Sequence, residues 1–410
     1  MTSLNVSGCD ALYLLQCQSN DLRTLDVSNC TALTFLLCQS NDLTELNVSG
    51  CEALGTVECY GNELTNLDVS GLTSLMHLLC WDNKLASLNV DGCEALVYLH
   101  CQSNDLTALD VSGIATLEGL VCGSNDLVSL NVDGCKALNL LTCRNNKLTK
   151  LDLSSCSSLA LLYCYDNELT ALNVDGCKFI TELMCYNNKL TALDASSCTS
   201  LKRLYCYDNK LSTMNINGCM SLDYLYCHNT SLRTLDIRDR KELLDVFCHN
   251  NSLTTFYVDG CSALQHINCS SNQLTALNVS TCTALEMLDC ENNQLLTLNV
   301  GKCSALKGLD CGDNQLDILD VSGNIALVSF DCRNNQLSTL DVSNCSDLVL
   351  LYCFENQLET LNVNGCSALT KLSCEYNQIT ALDVSSNKAL EFLDCSYNQL
   401  SVLTIGRSEE

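Results

Sequence analysis

Apolar positions along the chain repeat with one period. Leu4, Leu25, Leu46 and Leu67 are 21 residues apart, and the spacing runs to Leu403 without insertion or deletion, giving nineteen full periods. Residues 12–33, LYLLQCQSNDLRTLDVSNCTAL, show the unit, which reads L-x-x-L-x-C-x-x-N-x-L-t-x-L-d-v-s-g-C-x-a-L. Leu15 and Cys17 alternate with Leu14, Gln16 and Gln18, as a short strand with one buried face requires. Leu22, Leu25, Val27, Cys30 and Leu33 complete the predicted interior. Asn20 recurs in every period except at Thr230. A buried Asn suits a turn, where its amide can bond backbone groups of its own coil and the next. About ten residues separate the end of one strand from the next template Leu. That is too few for a crossover helix, so the return side is expected in short extended or 3₁₀ pieces. Residues 1–410 are read as a single array in which each turn buries its core against its neighbours, with no recognisable caps.

L-x-x-L-x-C-x-x-N-x-L resembles the leucine-rich-repeat signature, with Cys at the third apolar site. The short period is similar to the internalin-type bacterial class, with particular likeness to Cys-bearing tandem repeats of Bacteroidota surface proteins. The resemblance covers residues 4–403. It implies a strand-dominated α/β solenoid with one parallel sheet of about 19 short strands on its concave face, short extended or 3₁₀ segments on the convex side, and no long helices. It also implies a binding role and a location at the cell surface or outside the cell. No leader or anchor is read from this chain: Met1-Thr2-Ser3 leads straight into repeat sequence. No stretch approaches the roughly 20 apolar residues of a membrane span, so membrane insertion is not expected.

Composition narrows the partners. The chain carries 48 acids against 21 bases, a formal net charge of −27. Such a surface repels phosphate backbones, which sets nucleic acid aside. The 33 cysteines fall in two columns. One, through Cys17, Cys38 and Cys59, is filled in every period. The other, through Cys9, Cys30 and Cys51, is replaced by Leu72, Ile114, Arg240, Asn324 and Asn387. There is no C-x-x-C pair, and a ligand column would not tolerate Leu or Ile. The cysteines are therefore read as small apolar residues in a narrow slot, with no metal and no cofactor. Free thiols in this number fit a reducing or anaerobic setting better than an oxidising one.

The residue after the Leu4-type position alternates, from Asn5, Asp26, Asn47 and Asp68 through to Asp236, and lapses at Tyr257. Alternation avoids stacking like charges at the roughly 4.8 Å spacing of neighbouring strands. It also lets Asn amides donate to Asp carboxylates, and hints at a 42-residue ancestral unit. Asp289, Asp310 and Asp331 point outward on three successive strands. They could hold Ca²⁺, but the favoured reading is a solvated acidic stripe, partly neutralised by raised pKa values.

Binding information resides in the positions the template leaves free. The outward columns of Leu14, Gln16 and Gln18 hold 15 of the chain's 22 aromatic residues and all five His. Exposed aromatics gain nothing for folding, so this enrichment points to recognition. Five successive repeats carry Tyr163, Met184, Tyr205, Tyr226 and Phe247 in one column and Tyr165, Tyr186, Tyr207, His228 and His249 in the next. Arg203 and Tyr224 flank them. Adjacent strands would make this a band about 20 Å long and about 7 Å wide. Residues 136–241 carry 13 bases and ten acids, whereas the stretches before and after are each net −15. The near-neutral window suits a partner that is apolar in the middle with basic flanks. His228 and His249 lack a third ligand for zinc and are assigned to the band.

The run Arg238-Asp239-Arg240-Lys241-Glu242 breaks the template and could form a helical turn on the convex side. No phosphate-binding Gly loop and no nucleophile–base spacing is present, so an enzyme is not expected. The expected function is a non-catalytic scaffold that recognises a protein or a glycan over residues 163–249. The alternative is a building block that self-associates end to end through uncapped terminal repeats.

Overall fold

The computed structural model describes residues 1–406. The chain divides into two compact units, Met1–Cys219 and Met220–Glu410. Each period makes one turn of a parallel β-solenoid. In the first unit the strand-face segments run from Leu14–Gln16 to Arg203–Tyr205, ten in all. Each pairs in parallel with the segment 21 residues away, Leu14 opposite Phe35 and Glu182 opposite Arg203. The second unit has nine, from Tyr224–Tyr226 to Phe392–Asp394, paired in the same register. The strand-dominated solenoid expected from the period is what forms, and no helix occurs among the described residues.

The core follows the template. Leu36, Leu43, Leu54, Cys38 and Cys51 are fully buried, and the same columns are sealed turn after turn. A buried Leu contributes about 1.5–3 kcal/mol, but a single turn has no second layer, so the stability belongs to the stack. The Asn column is the polar half of this stack. The Asn188 amide nitrogen donates to the carbonyls of Cys185 in its own turn and Cys164 in the preceding one, both at 3.1 Å. Its Oδ1 accepts the Leu169 N–H at 2.9 Å. The bridge thus reaches back to the preceding coil, where the sequence reading had placed it on the following one. At the gap in the ladder, the Thr230 hydroxyl donates to the Cys227 carbonyl at 3.1 Å and contacts Asn251 Oδ1. The residue before each ladder Asn turns left-handed, as at Asn187 with φ 51°. Ser, Asn and Asp dominate that column because a short polar side chain tolerates the conformation.

The return side is built from extended pieces that pair two by two. In the first unit Thr24–Asp26 pairs with Glu45–Asn47, Asn66–Asp68 with Ser87–Asn89, and so on to Ala192–Asp194 with Thr213–Asn215. Each pair is a separate two-stranded sheet. The alternation of Asp and Asn marks the pairs. Asn131, Asn173 and Asn215 donate to Asp110, Asp152 and Asp194 at 3.1, 2.9 and 3.2 Å. The Ser112 and Ser154 backbone N–H groups hold Asp110 and Asp152 below their ordinary pKa, the Ser196 hydroxyl does so first at Asp194, and the Asn amides add to the effect.

The charged run does not form a helical turn. Arg238 folds back on Asp236 with an Nη2–Oδ2 distance of 2.6 Å. Arg240 is buried in the slot that Cys fills elsewhere, its guanidinium donating to the carbonyls of Asp236 and Arg238 at 3.4 Å. The backbone keeps the ordinary turn there.

Candidate binding surface

Strand pleat, not a pocket, places the aromatic side chains. In the first unit, Leu162, Leu183 and Leu204 point into the core, so Tyr163, Met184 and Tyr205 emerge on the strand face in register. One step on, past buried Cys164, Cys185 and Cys206, come Tyr165, Tyr186 and Tyr207. Their rings stack, Tyr165 on Tyr186 at 4.5 Å and 10° and Tyr186 on Tyr207 at 4.5 Å and 6°. The Arg144 guanidinium lies 5.8 Å from the Tyr165 ring centre at one end. Burial raises the Tyr186 phenol well above its ordinary pKa, with its two Tyr neighbours adding to the shift, so the middle hydroxyl of the row stays neutral. Arg203 pairs with Glu182 on the preceding strand at 3.4 Å.

In the second unit Tyr224 stands opposite Asp245 and Tyr226 opposite Phe247. Tyr226 and Phe247 meet edge to face at 4.7 Å and 83°. His228 stacks on His249 at 4.4 Å and 10°. Asp245, beside Phe247, holds His266 Nδ1 at 2.7 Å. The twelve predicted site residues therefore fall into two groups. Tyr163, Tyr165, Met184, Tyr186, Arg203, Tyr205 and Tyr207 lie together on the first unit. Tyr224, Tyr226, His228, Phe247 and His249 lie together on the second.

The first unit carries another stack that the predicted site left out. Tyr60 lies on Trp81 at 4.3 Å and 8°, and Trp81 on His100 at 5.7 Å and 28°. Tyr60 and Trp81 occupy the column of Tyr165. Reading that column as neighbours, and not only where both columns were filled, would have found them.

The acidic stripe forms as expected, with Asp289, Asp310 and Asp331 side by side on successive strands, but the cluster that could hold a cation has other members. Asp289, Glu291 and Asp310 each bring one carboxylate oxygen within 4.8 Å of the others, the oxygen-only set that a hard cation prefers. Asp331, expected as the third member, is bound by Arg333, which also pairs with Glu291 and lies 3.6 Å from Asp313. Arg333 can reach back two turns because Gly312 lies between; a Cβ there would stand 3.1 Å from Arg333 Cγ. Burial lifts Asp310 to about 6, with Asp331 and Asp289 adding repulsion. These carboxylates edge a depression of about 590 Å³, walled by Phe247, Met287 and Tyr352 and floored by Gly308 and Ser329.

This geometry has counterparts of known structure. The fold is that of the leucine-rich-repeat solenoids. The functional domain of InlJ from Listeria monocytogenes, which includes a cysteine ladder, is similar at 29% identity and a TM-score of 0.59, over 88% of this chain and 74% of that one. YopM from Yersinia enterocolitica is similar at 23% identity and a TM-score of 0.66, over 98% and 82%. A leucine-rich-repeat protein from Leptospira interrogans is similar at 20% identity and a TM-score of 0.55, over 98% and 95%. Residues 319–355 match the family described as LVIVD repeat. No curated protein matches the chain. The internalin-like short period and the cysteine ladder of this solenoid thus agree with a neighbour that shares both fold and ladder.

Proposed function

We propose that the solenoid is a non-catalytic scaffold that recognises a protein partner through the aromatic side chains of residues 163–249. The supporting observation is the stacked row Tyr165, Tyr186 and Tyr207 beside Tyr163, Met184 and Tyr205. These six half-buried side chains present apolar area and hydroxyls on a rigid sheet at low entropic cost. The ring geometry favours a protein over a glycan. Both faces of Tyr186 are covered by its neighbours, so what meets solvent is ring edges and hydroxyls, whereas a sugar packs its C–H groups against an open ring face. Edges and hydroxyls suit the mixed apolar and carbonyl surface of a polypeptide. A bacterial surface setting, near the Cys-bearing repeats of Bacteroidota, belongs to the same proposal and rests on resemblance.

The test is a pull-down from candidate host and microbial extracts, a glycan array run beside it, and titration calorimetry on the partner recovered. Tyr205→Ala combined with Tyr207→Ala on the first unit, and Phe247→Ala combined with His249→Ala on the second, are compared with the unaltered chain. Loss of at least about 100-fold in affinity for a protein, about 2.7 kcal/mol, with an unchanged melting curve supports the reading. Undiminished binding by both double variants sinks the site assignment. Array binding by a glycan that either variant abolishes overturns the choice of partner. Concentration-dependent rods in the absence of any ligand would favour the self-associating building block instead.

A further inference from the structure

The backbone ladder on the return side of the solenoid forms at every second junction and is missing between. Within a pair, the Val27 N–H donates to the Asn47 carbonyl at 3.0 Å and Asn29 to Ser49 at 2.8 Å. Val69, Val111, Leu153 and Ala195 make the same bond to Asn89, Asn131, Asn173 and Asn215 at 2.9–3.1 Å. The corresponding groups of the second turn in each pair, such as Val48, Val90 and Val132, have no such bond to the turn that follows among the described residues. The strand face makes no such distinction: its ladder and the Asn bridges run through every turn of the first unit.

The second cysteine column records the same division. In the second turn of each pair the thiol donates to the carbonyl of the first. Cys51, Cys93, Cys135, Cys177 and Cys219 lie 3.1, 3.2, 3.2, 3.3 and 3.1 Å from Val27, Val69, Val111, Leu153 and Ala195. Between pairs the distance opens, to 3.7 Å for Cys156 to Val132 and 4.0 Å for Cys198 to Val174. All five replacements in this column, Leu72, Ile114, Arg240, Asn324 and Asn387, fall on turns that open a pair or, at Asn324, on a turn left unpaired. Where the replacement is Asn, its longer amide spans the wider gap: Asn387 reaches Val363 at 3.0 Å and Cys366 at 2.9 Å. The pairing outlasts the letters that mark it in the first unit. Thr234–Asp236 still pairs with Thr255–Tyr257, and the Cys261 thiol lies 3.0 Å from the Ile237 carbonyl.

We infer that the body that moves in this solenoid is the 42-residue pair of turns, hinged to its neighbours along the strand face and free to gape on the return side. The return-strand backbone bonds, the Asn–Asp contact and the short thiol bonds act within a pair. Between pairs act the strand ladder, the Asn bridges, the shared core and scattered single contacts, such as Gly134 N–H to Ser155 Oγ at 3.1 Å, Ser197 Oγ to the Val174 carbonyl at 3.2 Å and Lys147 with Asp126 at 2.8 Å. A repeat array yields where its nearest-neighbour interfaces are weakest. Each junction therefore acts as a hinge, and the strand face can change curvature in steps of two turns.

Pulling the full chain from its ends in optical tweezers tests this directly. A fully extended residue spans at most about 3.6 Å, so a pair released as a unit lengthens the chain by about 150 Å and a single turn by about 75 Å. Increments clustered at about 150 Å are expected. Increments at about 75 Å, or one rip without substeps, would overturn the inference. Amide exchange on the unpulled chain is the second measurement, and it needs no variant that must fold. The amides of Val48, Val90 and Val132 should exchange at least about tenfold faster than those of Val27, Val69 and Val111, while strand-face amides of alternate turns exchange alike. Equal rates on the return side would also overturn it.

Discussion

At the scale of single residues, what decides the chemistry is which polar atoms the stack buries and what it gives them. Asp310 illustrates the cost of an imperfect answer. It accepts the Gly312 N–H at 3.1 Å, yet burial and two neighbouring carboxylates lift it to about 6. An acid whose pKa is raised on folding holds its proton more tightly in the native state. Its contribution to stability therefore falls as pH rises from the ordinary value of 3.8 to about 6. Asp110, Asp152 and Asp194 do the opposite: their stabilisation is present above the ordinary carboxylate range and is lost as pH falls through their lowered pKa. Asp310→Asn keeps an acceptor for Gly312 and removes the charge. It should raise stability at pH 8 by on the order of 2–3 kcal/mol and leave it unchanged at pH 3. Urea unfolding at the two pH values gives the difference, and an equal effect at both would mean that the gain comes from packing. The acidic stripe itself was legible in the sequence. The membership of the cluster that could hold a cation was not, because Arg333 engages Asp331 and reaches Glu291 across two turns. The one sign of that reach was Gly312, which empties the column between them.

At the scale of the turn, period and alternation gave the strands, the inward leucines and the Asn column, because each is a local demand repeated nineteen times. The pairing of turns was only half readable. Asp26 has Asn5 on one side and Asn47 on the other, and nothing in the letters says which it joins. Geometry selects Asn47, through backbone bonds that no side-chain pattern announces. The cysteines were read as apolar fillers, which holds for Cys38 and Cys59, although in the same column Cys290, Cys311 and Cys353 donate to the carbonyls of Asp310, Asp331 and Ser373 at 3.3, 3.4 and 3.5 Å. In the other column the thiol is also a donor, and its strength depends on the turn it sits in. Cys135→Ala removes a 3.2 Å bond to Val111, whereas Cys156→Ala removes a contact of 3.7 Å. Both leave the same small cavity in a fully buried slot. The first should therefore cost about 0.5–1 kcal/mol more than the second, measured as the difference in urea midpoints. Equal costs would reduce the column to packing alone.

At the scale of the whole chain, the cysteine content raises the question of how 33 free thiols survive together. The sequence answered with a reducing environment. The structure offers a second answer, which is burial. Thiolate is the reactive form, and burial pushes Cys59, Cys101, Cys143, Cys185 and Cys227 up to about 12. At pH 8 such a thiol is ionised about once in 10⁴, and its sulfur is out of reach of reagent in any case. Cys9 is exposed and Cys395 half-buried, because each belongs to a turn with one neighbour among the described residues; the others are buried, Cys17 of the first strand included. Iodoacetamide at pH 8 should therefore modify two cysteines within minutes, and the rest only as fast as the turns open. Mass spectrometry of the intact chain would show a stable species with two adducts, followed by slow addition that urea accelerates. Rapid labelling of many more would mean that the stack breathes deeply enough to expose its core, and protection would then have to come from the surroundings. If two adducts are found, the protein carries its own protection. The number of its cysteines would then place no limit on the compartment in which it works.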